Sequence, residues 1–324
     1  MTIKKIRPPA LPKLLDRKLY KTGQTRGADD DEIYQNRVLR NSTVLIPYDS
    51  YEVCKSPDDA RGEYENGFIV LVKPGWYFAN TDADEILSES GLSLGKNAVI
   101  FYQRRSEWDA NPPDSQGWSV AVSRTTDLQG QFVARVSATT AATKVNSGFN
   151  TTSSKGAGIR VYEYAASETI NESRLQLESL LWMSADAEDA MVELGMTTDG
   201  AKARRELVLE KASEAGLLDM RVLKENRLIN DAGVTICPLC REEMSPAGFA
   251  SKVAQAEGRE VFDLTVTQVS LFHVDELRVG RLSHKPYNLG WGHHHCNVVV
   301  KDAGIANTID WIRSVLKRND ETVD

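Results

Sequence analysis

The sequence predicts an α+β protein with a β-rich N-terminal part, a helical middle part and a C-terminal part that holds a metal ion. Three observations predict it: short β-branched and aromatic runs before residue 165, helical periodicity after it, and a group of Cys and His residues near the C-terminus. On this basis the 324 residues divide into four segments, 1–42, 43–164, 165–225 and 226–324.

Composition limits the classes of protein to which the chain can belong. Hydrophobic residues make up 41% and charged residues 26%, as in ordinary globular domains. No apolar run approaches the ~20 residues of a membrane span, and the N-terminus lacks the pattern of a secretory signal. We therefore expect a cytoplasmic protein with no membrane partner.

Residues 1–42 are predicted to form an extended basic arm, because three prolines within the first twelve residues disfavour an early helix. Between Lys4 and Arg26 there are eight Lys or Arg residues and one acid, Asp16. Such a segment can lie along phosphates or can be an ordinary solvated surface. The net charge of −7 weighs against a nucleic-acid partner, but a groove needs basic residues only along its lining.

Residues 43–164 are predicted to form a mainly antiparallel sheet. Turn residues separate most of the short runs that favour strands, which are 43–46, 67–72, 98–102, 118–122, 132–136 and 159–164. The stretch 137–158 is small and polar, so it is either a loop that orders on a ligand or a plain linker.

Two further regions show helical periodicity. Apolar positions over 170–194 and 203–217 predict a helical spacer, in preference to a helix-turn-helix reader, because any helical bundle produces the same pattern. Near the C-terminus, residues 303–315 predict a helix that packs on the C-terminal segment, with Trp311 in the core.

The Cys and His residues of the C-terminal segment predict a structural zinc site. All five histidines lie between His273 and His295, and three of the four cysteines lie between positions 237 and 296. Two pairs at the same offset suit the four tetrahedral ligands of zinc. The quartet is Cys237, Cys240, His293 and Cys296. The remaining cysteine, Cys54, is predicted to be a small buried or half-buried side chain.

This region resembles the HNH (ββα-metal) nuclease family. The residues Phe272-His273-Val274-Asp275-Glu276-Leu277 fit its first element, and Asn288-Leu289 lies fifteen positions after His273. His293, Cys296 and Asn297 then follow Asn288 by five, eight and nine positions. The resemblance covers about 65 residues and depends on the joint spacing. It implies a C-terminal ββα-metal module that the zinc site holds together.

The resemblance also implies a role for each central residue. His273 stands at the position of the general base, a role that suits an imidazole because it titrates near neutral pH. Asn297 matches the ligand of a divalent metal, and its amide oxygen suits Mg²⁺ or Mn²⁺. Asn288 matches the family's middle Asn, which braces the loop and positions the base.

One position departs from the family pattern. The residue before the base is usually an Asp that ligates the metal, and here it is Phe272, which cannot coordinate an ion. An alternative register would make Asp275 the metal ligand and Glu276 the base, but it shortens the gap to Asn288 to twelve positions. Asp275 remains an accessory candidate, as do His284 and His295.

The segment Tyr287-Asn288-Leu289-Gly290-Trp291-Gly292-His293, with Asn297, resembles the HNH variants of type II restriction endonucleases. The wider chain resembles the BstXI type, on the segment Asp16-Arg17-Lys18-Leu19-Tyr20-Lys21-Thr22-Gly23-Gln24-Thr25-Arg26. These resemblances imply a bacterial enzyme that cuts double-stranded DNA at a specific site and is accompanied by a cognate DNA methyltransferase. Because one HNH module cuts one strand, we expect a homodimer. Residues 43–164 would then read the sequence. The candidate DNA contacts are Arg17, Lys18, Lys21, Arg26, Arg104 and Arg105.

Two alternatives remain open at this point. In a modification-dependent HNH endonuclease, residues 43–164 would form a pocket for a modified base flipped out of the duplex. In a non-catalytic zinc-stapled DNA-binding module, His273 would have no chemical role.

Overall fold

The computed structural model describes residues 9–20, 38–56, 63–136, 145–149, 157–251 and 267–319. The chain forms two compact units. The sheet unit comprises Gly23–Ser167 and Val279–Leu282. The hairpin unit comprises Met1–Thr22, Glu168–Arg278 and Ser283–Asp324.

Six strands form the sheet of the sheet unit. In chain order they are β1 (Val44–Pro47), β2 (Phe68–Val72), β3 (Ala98–Tyr102), β4 (Phe132–Val136), β5 (Val145–Ser147) and β6 (Ile159–Arg160). Their order across the sheet is β5-β4-β3-β2-β1-β6. Leu45 pairs with Ile69, Leu71 with Val99, and Phe101 with Val133.

The prediction of a mainly antiparallel sheet is wrong. Strand β1 runs parallel to β2 and β6, and the pairs β2–β3 and β3–β4 are also parallel. Among the described strands of this sheet, only the pair β4–β5 is antiparallel. Strands of a parallel sheet are covered on both faces and read as continuous apolar runs, as Ile69–Val72 does.

Short helices connect the parallel strands of the sheet unit. They are α2 (Tyr51–Cys54), α3 (Pro74–Ala79), α4 (Ala83–Glu89) and α5 (Arg105–Ala110). Pro74 is the first residue of α3, where the missing N–H costs nothing. Cys54 is buried, as predicted, with 2% of its surface exposed.

The predicted strand at 118–122 is absent. Val120 makes one isolated parallel bridge to Phe132, and the surrounding residues are irregular. The predicted strand at 159–164 ends at Arg160 and continues as a 3-10 turn over Val161–Glu163. Both runs lie in the sheet unit and contribute apolar side chains to its core, although most of their residues lie outside the strands.

The hairpin unit contains most of the helices. They are α1 (Lys13–Tyr20), α6 (Ser167–Trp182), α7 (Ala187–Glu193), α8 (Thr198–Glu214) and α9 (Met220–Glu225), followed by α10 (His294–Val300) and α11 (Gly304–Arg318). Helices α6 to α8 and α11 match the predicted helical regions. The two-stranded sheet of this unit consists of β7 (Val269–His273) and β8 (Leu289–His293).

Helix α1 corrects the prediction that residues 1–42 are an extended arm. Leu11, Leu15 and Leu19 recur at intervals of four and are buried in the core of the hairpin unit. Pro12 does not prevent the helix, because it stands before the first turn and accepts a hydrogen bond from the Asp16 N–H at 3.0 Å.

The prediction that Trp311 lies in the core is also wrong. Helix α11 buries Ile305 and Thr308 near its start, whereas Trp311 is 55% exposed. No helix among the described residues is long and apolar enough to cross a membrane.

Candidate metal centre and active site

A β-hairpin followed at once by a helix forms the centre of the site. Strands β7 and β8 are antiparallel, with Val269 opposite His293 and His273 opposite Leu289. Helix α10 begins at His294, directly after β8. The N–H of His294 donates to the Gln268 carbonyl at 2.7 Å, which ties the start of the helix to the start of β7.

Phe272 and Gly292 form a close contact on the hairpin. Phe272 is fully buried, and a methyl group at Gly292 would overlap its ring. The glycine therefore leaves the space into which the aromatic ring packs. Phe272, which the HNH resemblance places at the position of a metal ligand, is thus part of the hydrophobic core.

The first pair of predicted zinc ligands lies on a tight turn. Cys237 donates its N–H to the Glu242 carbonyl at 2.8 Å, and its carbonyl accepts from the Arg241 N–H at 2.9 Å. Arg241 has φ 65, a left-handed conformation that closes the turn. Cys237 is buried, whereas Cys240 is exposed.

The structure brings all four predicted zinc ligands together. The ligand atoms of Cys237, Cys240, His293 and Cys296 lie within 4.8 Å of one another. The Cys240 Sγ and His293 Nδ1 atoms are 3.3 Å apart. In tetrahedral zinc with its usual bond lengths, neighbouring ligand atoms are about 3.5–3.8 Å apart, so these side chains fit the ion with small adjustments.

The electrostatics of the four side chains suit a cation. Burial, together with the neighbouring thiols, raises the pKa of Cys296 well above its ordinary value, and burial also raises the pKa of Cys240. Burial, then the nearby His295, lowers the pKa of His293, which favours the neutral imidazole that metals bind. Thiolates crowded in this way need a positive ion between them.

Asn288 fixes the loop that follows His273. Its Oδ1 accepts from the Asp275 N–H at 2.8 Å, and its Nδ2 donates to the Ser283 carbonyl at 2.7 Å. Its own carbonyl accepts from the Val274 N–H at 3.0 Å. The side chain is 4% exposed, so these bonds are shielded from water. Asn288 joins both ends of the loop.

Helix α11 holds the same loop from the other side. The Ile305 N–H donates to the Val274 carbonyl at 2.8 Å, and the Leu277 N–H donates to the Asp302 carbonyl at 3.0 Å. A Cβ at Gly304 would lie 2.5 Å from the Glu276 nitrogen, and Gly304 has φ +75. Only glycine permits this approach of the helix start to the loop.

The predicted base and the predicted metal ligand lie on neighbouring elements. His273 is the last residue of β7, and its ring centroid is 6.0 Å from that of His284, which is 1% exposed. Asn297 lies on α10, and its Nδ2 is 3.4 Å from the Ser270 Oγ on β7. Side chains alternate along a strand, so Ser270 faces the same side as Phe272.

Ser270 is the polar residue near Asn297 that the sequence did not indicate. The signal was available: Ser270 is two positions before Phe272, and residues two apart share a face of a strand. Among the described residues, its hydroxyl is the hydrogen-bond partner of the Asn297 side chain.

Of the accessory candidates, His284 is buried, whereas Asp275 and His295 are exposed. Asp275 is exposed on the loop after His273. His295 is exposed, and its ring stacks on that of His293 with centroids 5.3 Å apart. Glu276, the base in the alternative register, lies 3.2 Å from Arg278 in an ion pair.

The predicted DNA contacts are dispersed over both units. Arg17 and Lys18 lie on α1, where Lys18 Nζ donates to Thr267 Oγ1 at 3.0 Å. Arg104 is exposed just after β3, and Arg105 begins α5, where its Nε is 3.1 Å from Asp109. Lys21 and Arg26 lie outside the described residues.

Comparison with known proteins identifies the family. The model of the BstXI restriction endonuclease family matches residues 17–294 of the 324. A solved crystal structure of a type II restriction endonuclease is similar at 12% identity, with a TM-score of 0.26 over 48% of this chain and 56% of that chain. No curated protein matches. Because the family model spans most of the sequence, the chain belongs to the BstXI restriction endonuclease family.

Proposed function

We propose that this protein is a site-specific endonuclease of double-stranded DNA whose catalytic centre is of the HNH type. One observation carries the proposal: the Cys3His cluster joins a turn, the end of β8 and the start of α10, in a chain of a restriction endonuclease family. The cluster therefore fixes the hairpin that ends in His273 relative to the helix that bears Asn297.

In the proposed mechanism His273 removes a proton from the attacking water. Hydrogen bonds from Asn288 and from the start of α11 fix the backbone of the loop after His273. A general base must lie within hydrogen-bond reach of the proton that it removes, so this rigidity contributes to the rate. His284 packs beside the base and limits the orientations of its ring.

Two metal ions have proposed places. Cys237, Cys240, His293 and Cys296 would hold a structural Zn²⁺, and the amide oxygen of Asn297 would help to hold a catalytic Mg²⁺ or Mn²⁺. The catalytic ion, when bound, would neutralise charge that develops on the phosphate. Hard divalent ions prefer oxygen ligands, a preference that the amide of Asn297 meets.

The proposal is tested by incubating the protein with long unmodified DNA and Mg²⁺, and in parallel with the same DNA after base methylation. Discrete fragments from the unmodified DNA are expected. Fragments from the methylated DNA alone would instead indicate a modification-dependent endonuclease.

Replacement of His273 by Ala tests the catalytic role directly. We expect cleavage to fall by at least about 10²-fold, because a general base contributes this much or more, while DNA binding and zinc content are retained. His294→Ala is the matched control, since His294 lies one position after a proposed ligand and has no assigned role. Undiminished cleavage by His273→Ala would overturn the role of His273 as the general base. DNA binding without any cleavage by the wild-type protein would instead leave a zinc-stapled DNA-binding module.

The partners follow from the reaction. One site cuts one strand, so a symmetric homodimer is the economical arrangement for a double-strand break. We propose such a homodimer, together with a cognate DNA methyltransferase that protects the host and a cytoplasmic location in a bacterium. We further propose that the sheet unit reads the DNA sequence.

A further inference from the structure

Arg135 is a buried cation in the sheet unit. It is the fourth residue of β4 and is 3% exposed. Arg135 is two positions after Val133, so both side chains point to the same face of the sheet. Val133 belongs to the apolar cluster on that face. The other members of that cluster are Leu45, Ile69, Leu71, Val99, Phe101, Ala121, Leu128, Phe149 and Ala157.

Within the described part of the chain Arg135 has almost no polar partner. Its Nη2 donates to the Gly148 carbonyl at 3.4 Å, and its Nε is buried without a hydrogen bond. Burial lowers its pKa, and no carboxylate opposes that effect. A guanidinium has five N–H donors, so most of its hydrogen-bonding capacity is unused.

Arg40 shows how the same unit accommodates a buried guanidinium that belongs to the fold. Arg40 is 5% exposed, and its Nη1 donates to the Glu163 carbonyl at 3.2 Å. The charge of Glu163 also raises its pKa, although burial lowers it by more, to about 10. A buried charge ordinarily has such a partner.

The sequence around Arg135 offers no acid nearby along the chain. From Leu128 to Tyr162 there are four Lys or Arg residues and no Asp or Glu. This local excess of positive charge contrasts with the net charge of −7 for the whole chain.

Arg135 lies at the carboxyl end of the parallel strands. Ala134 pairs with Tyr102, the last residue of β3, so Arg135 is level with Gln103 there. The exposed Arg104 follows β3 at the same edge.

We propose that Arg135 binds a phosphodiester of the DNA backbone and is thereby a DNA-binding residue of the sheet unit. A phosphate supplies both the negative charge and the paired oxygens that the buried guanidinium lacks, whereas the edge of a neutral base supplies no charge. The inference rests on the proposed endonuclease function, but its test needs binding and no cleavage.

The test measures binding of a 30-base-pair duplex of mixed sequence at several salt concentrations, without added Mg²⁺ or Mn²⁺. For Arg135→Met we expect affinity to fall about tenfold or more and the slope of log K against log salt to decrease by about 0.9, the value for one phosphate. We also expect an equal or higher thermal midpoint, because an uncompensated buried charge is removed.

Arg40→Met is the matched control, since it removes an equally buried guanidinium of the same unit that has its partner in place. It should bind the duplex with unchanged salt dependence and unfold at a lower temperature. Wild-type affinity and slope in Arg135→Met would overturn the proposal, as would a lower thermal midpoint with unchanged binding.

Arg135→Lys covers the case in which Arg135→Met does not fold. The lysine keeps the positive charge but loses the paired N–H donors of the guanidinium. The slope of log K against log salt should therefore stay near that of the wild type while the affinity falls. If neither variant folds, the premise of an uncompensated charge is wrong and the proposal falls with it. A thermal shift by inorganic phosphate that needs Arg135, with no effect of the substitution on duplex binding, would overturn the assignment to DNA.

Discussion

At the residue scale, Asn288 shows how one amide determines the geometry of a loop. It donates from Nδ2, accepts at Oδ1 and uses its backbone carbonyl as well, all in a buried position. No apolar side chain can replace the two side-chain contacts, because each partner is a backbone group that would lose its hydrogen bond. The family resemblance predicted a bracing role for this residue, and the contacts support that interpretation.

We predict that Asn288→Ala lowers the free energy of unfolding by about 1–3 kcal/mol, because two buried backbone groups lose their partners. Cleavage should fall as well, since the loop after His273 loses its brace. Denaturant unfolding and a cleavage assay measure the two effects. Asn307→Ala is the control: its side chain bonds the Ala303 carbonyl on the exposed side of α11, and its change should stay within about 0.5 kcal/mol.

Gly292 carries a second prediction at this scale. Gly292→Ala places a methyl group against the Phe272 ring, and both strands that carry these residues are fixed by the hairpin ladder. We expect a loss of about 1–3 kcal/mol from overpacking, read from thermal or denaturant unfolding. Unchanged stability would mean that the ring moves aside freely.

Elements in the hairpin unit are joined by the Cys3His cluster. The zinc quartet was predicted from the spacing of the residues alone, and the structure brings their ligand atoms together. Spacing was sufficient to predict this proximity, because a pair at fixed offset on a turn or at a helix start points both side chains to one place, as a tetrahedral zinc site would need.

We predict that wild-type protein contains one zinc ion per chain and that Cys296→Ser loses it. The free energy of unfolding of the variant should be lower by several kcal/mol, because metal binding contributes to the free energy of folding. Metal analysis and thermal unfolding provide the measurements. Cys54→Ser, a buried cysteine of the sheet unit, should keep its zinc; a wild-type level of zinc in Cys296→Ser would contradict the assignment.

The sheet is where the sequence was misinterpreted at this scale. Strands β2 and β3 were located correctly, yet Ile69–Val72 and Ala98–Tyr102 are buried throughout and show no alternation. That pattern favours strands covered on both faces, and hence parallel pairing, over an antiparallel sheet with one solvated face. Helices α2 to α5 were too short to give a periodic signal, so the crossovers between the parallel strands were not visible in the sequence.

Helix α1 is hard to predict for a different reason. The three prolines in the first twelve residues indicate an extended chain, whereas the interval of four between Leu11, Leu15 and Leu19 indicates a helix. The proximity of Cys237, Cys240, His293 and Cys296 was easier to predict, because two Cys/His pairs at the same offset are rarer than an apolar pattern. Ser270 and Arg135 escaped notice, because a lone Ser or Arg becomes informative only when burial and partners are known.

At the scale of the whole molecule, two units with separate cores predict unfolding in more than one step. The zinc ligands all belong to the hairpin unit. We expect a chelator to lower the unfolding temperature of that unit and to leave the transition of the sheet unit in place. Calorimetry with and without the chelator, with hydrogen exchange to assign each transition, tests this; a uniform shift of all transitions would count against it.

The burial of Phe272 has a consequence for the order in which the catalyst assembles. The HNH resemblance implies a carboxylate at this position, where the chain has a phenyl ring. Among the described residues, the proposed catalytic ion would then be offered the amide of Asn297 and the hydroxyl of Ser270. Such a site would bind Mg²⁺ weakly, because this ion gives up its hydration waters reluctantly. We therefore expect the ion to bind together with the phosphate of the target, so that the active site is complete only when the substrate is bound.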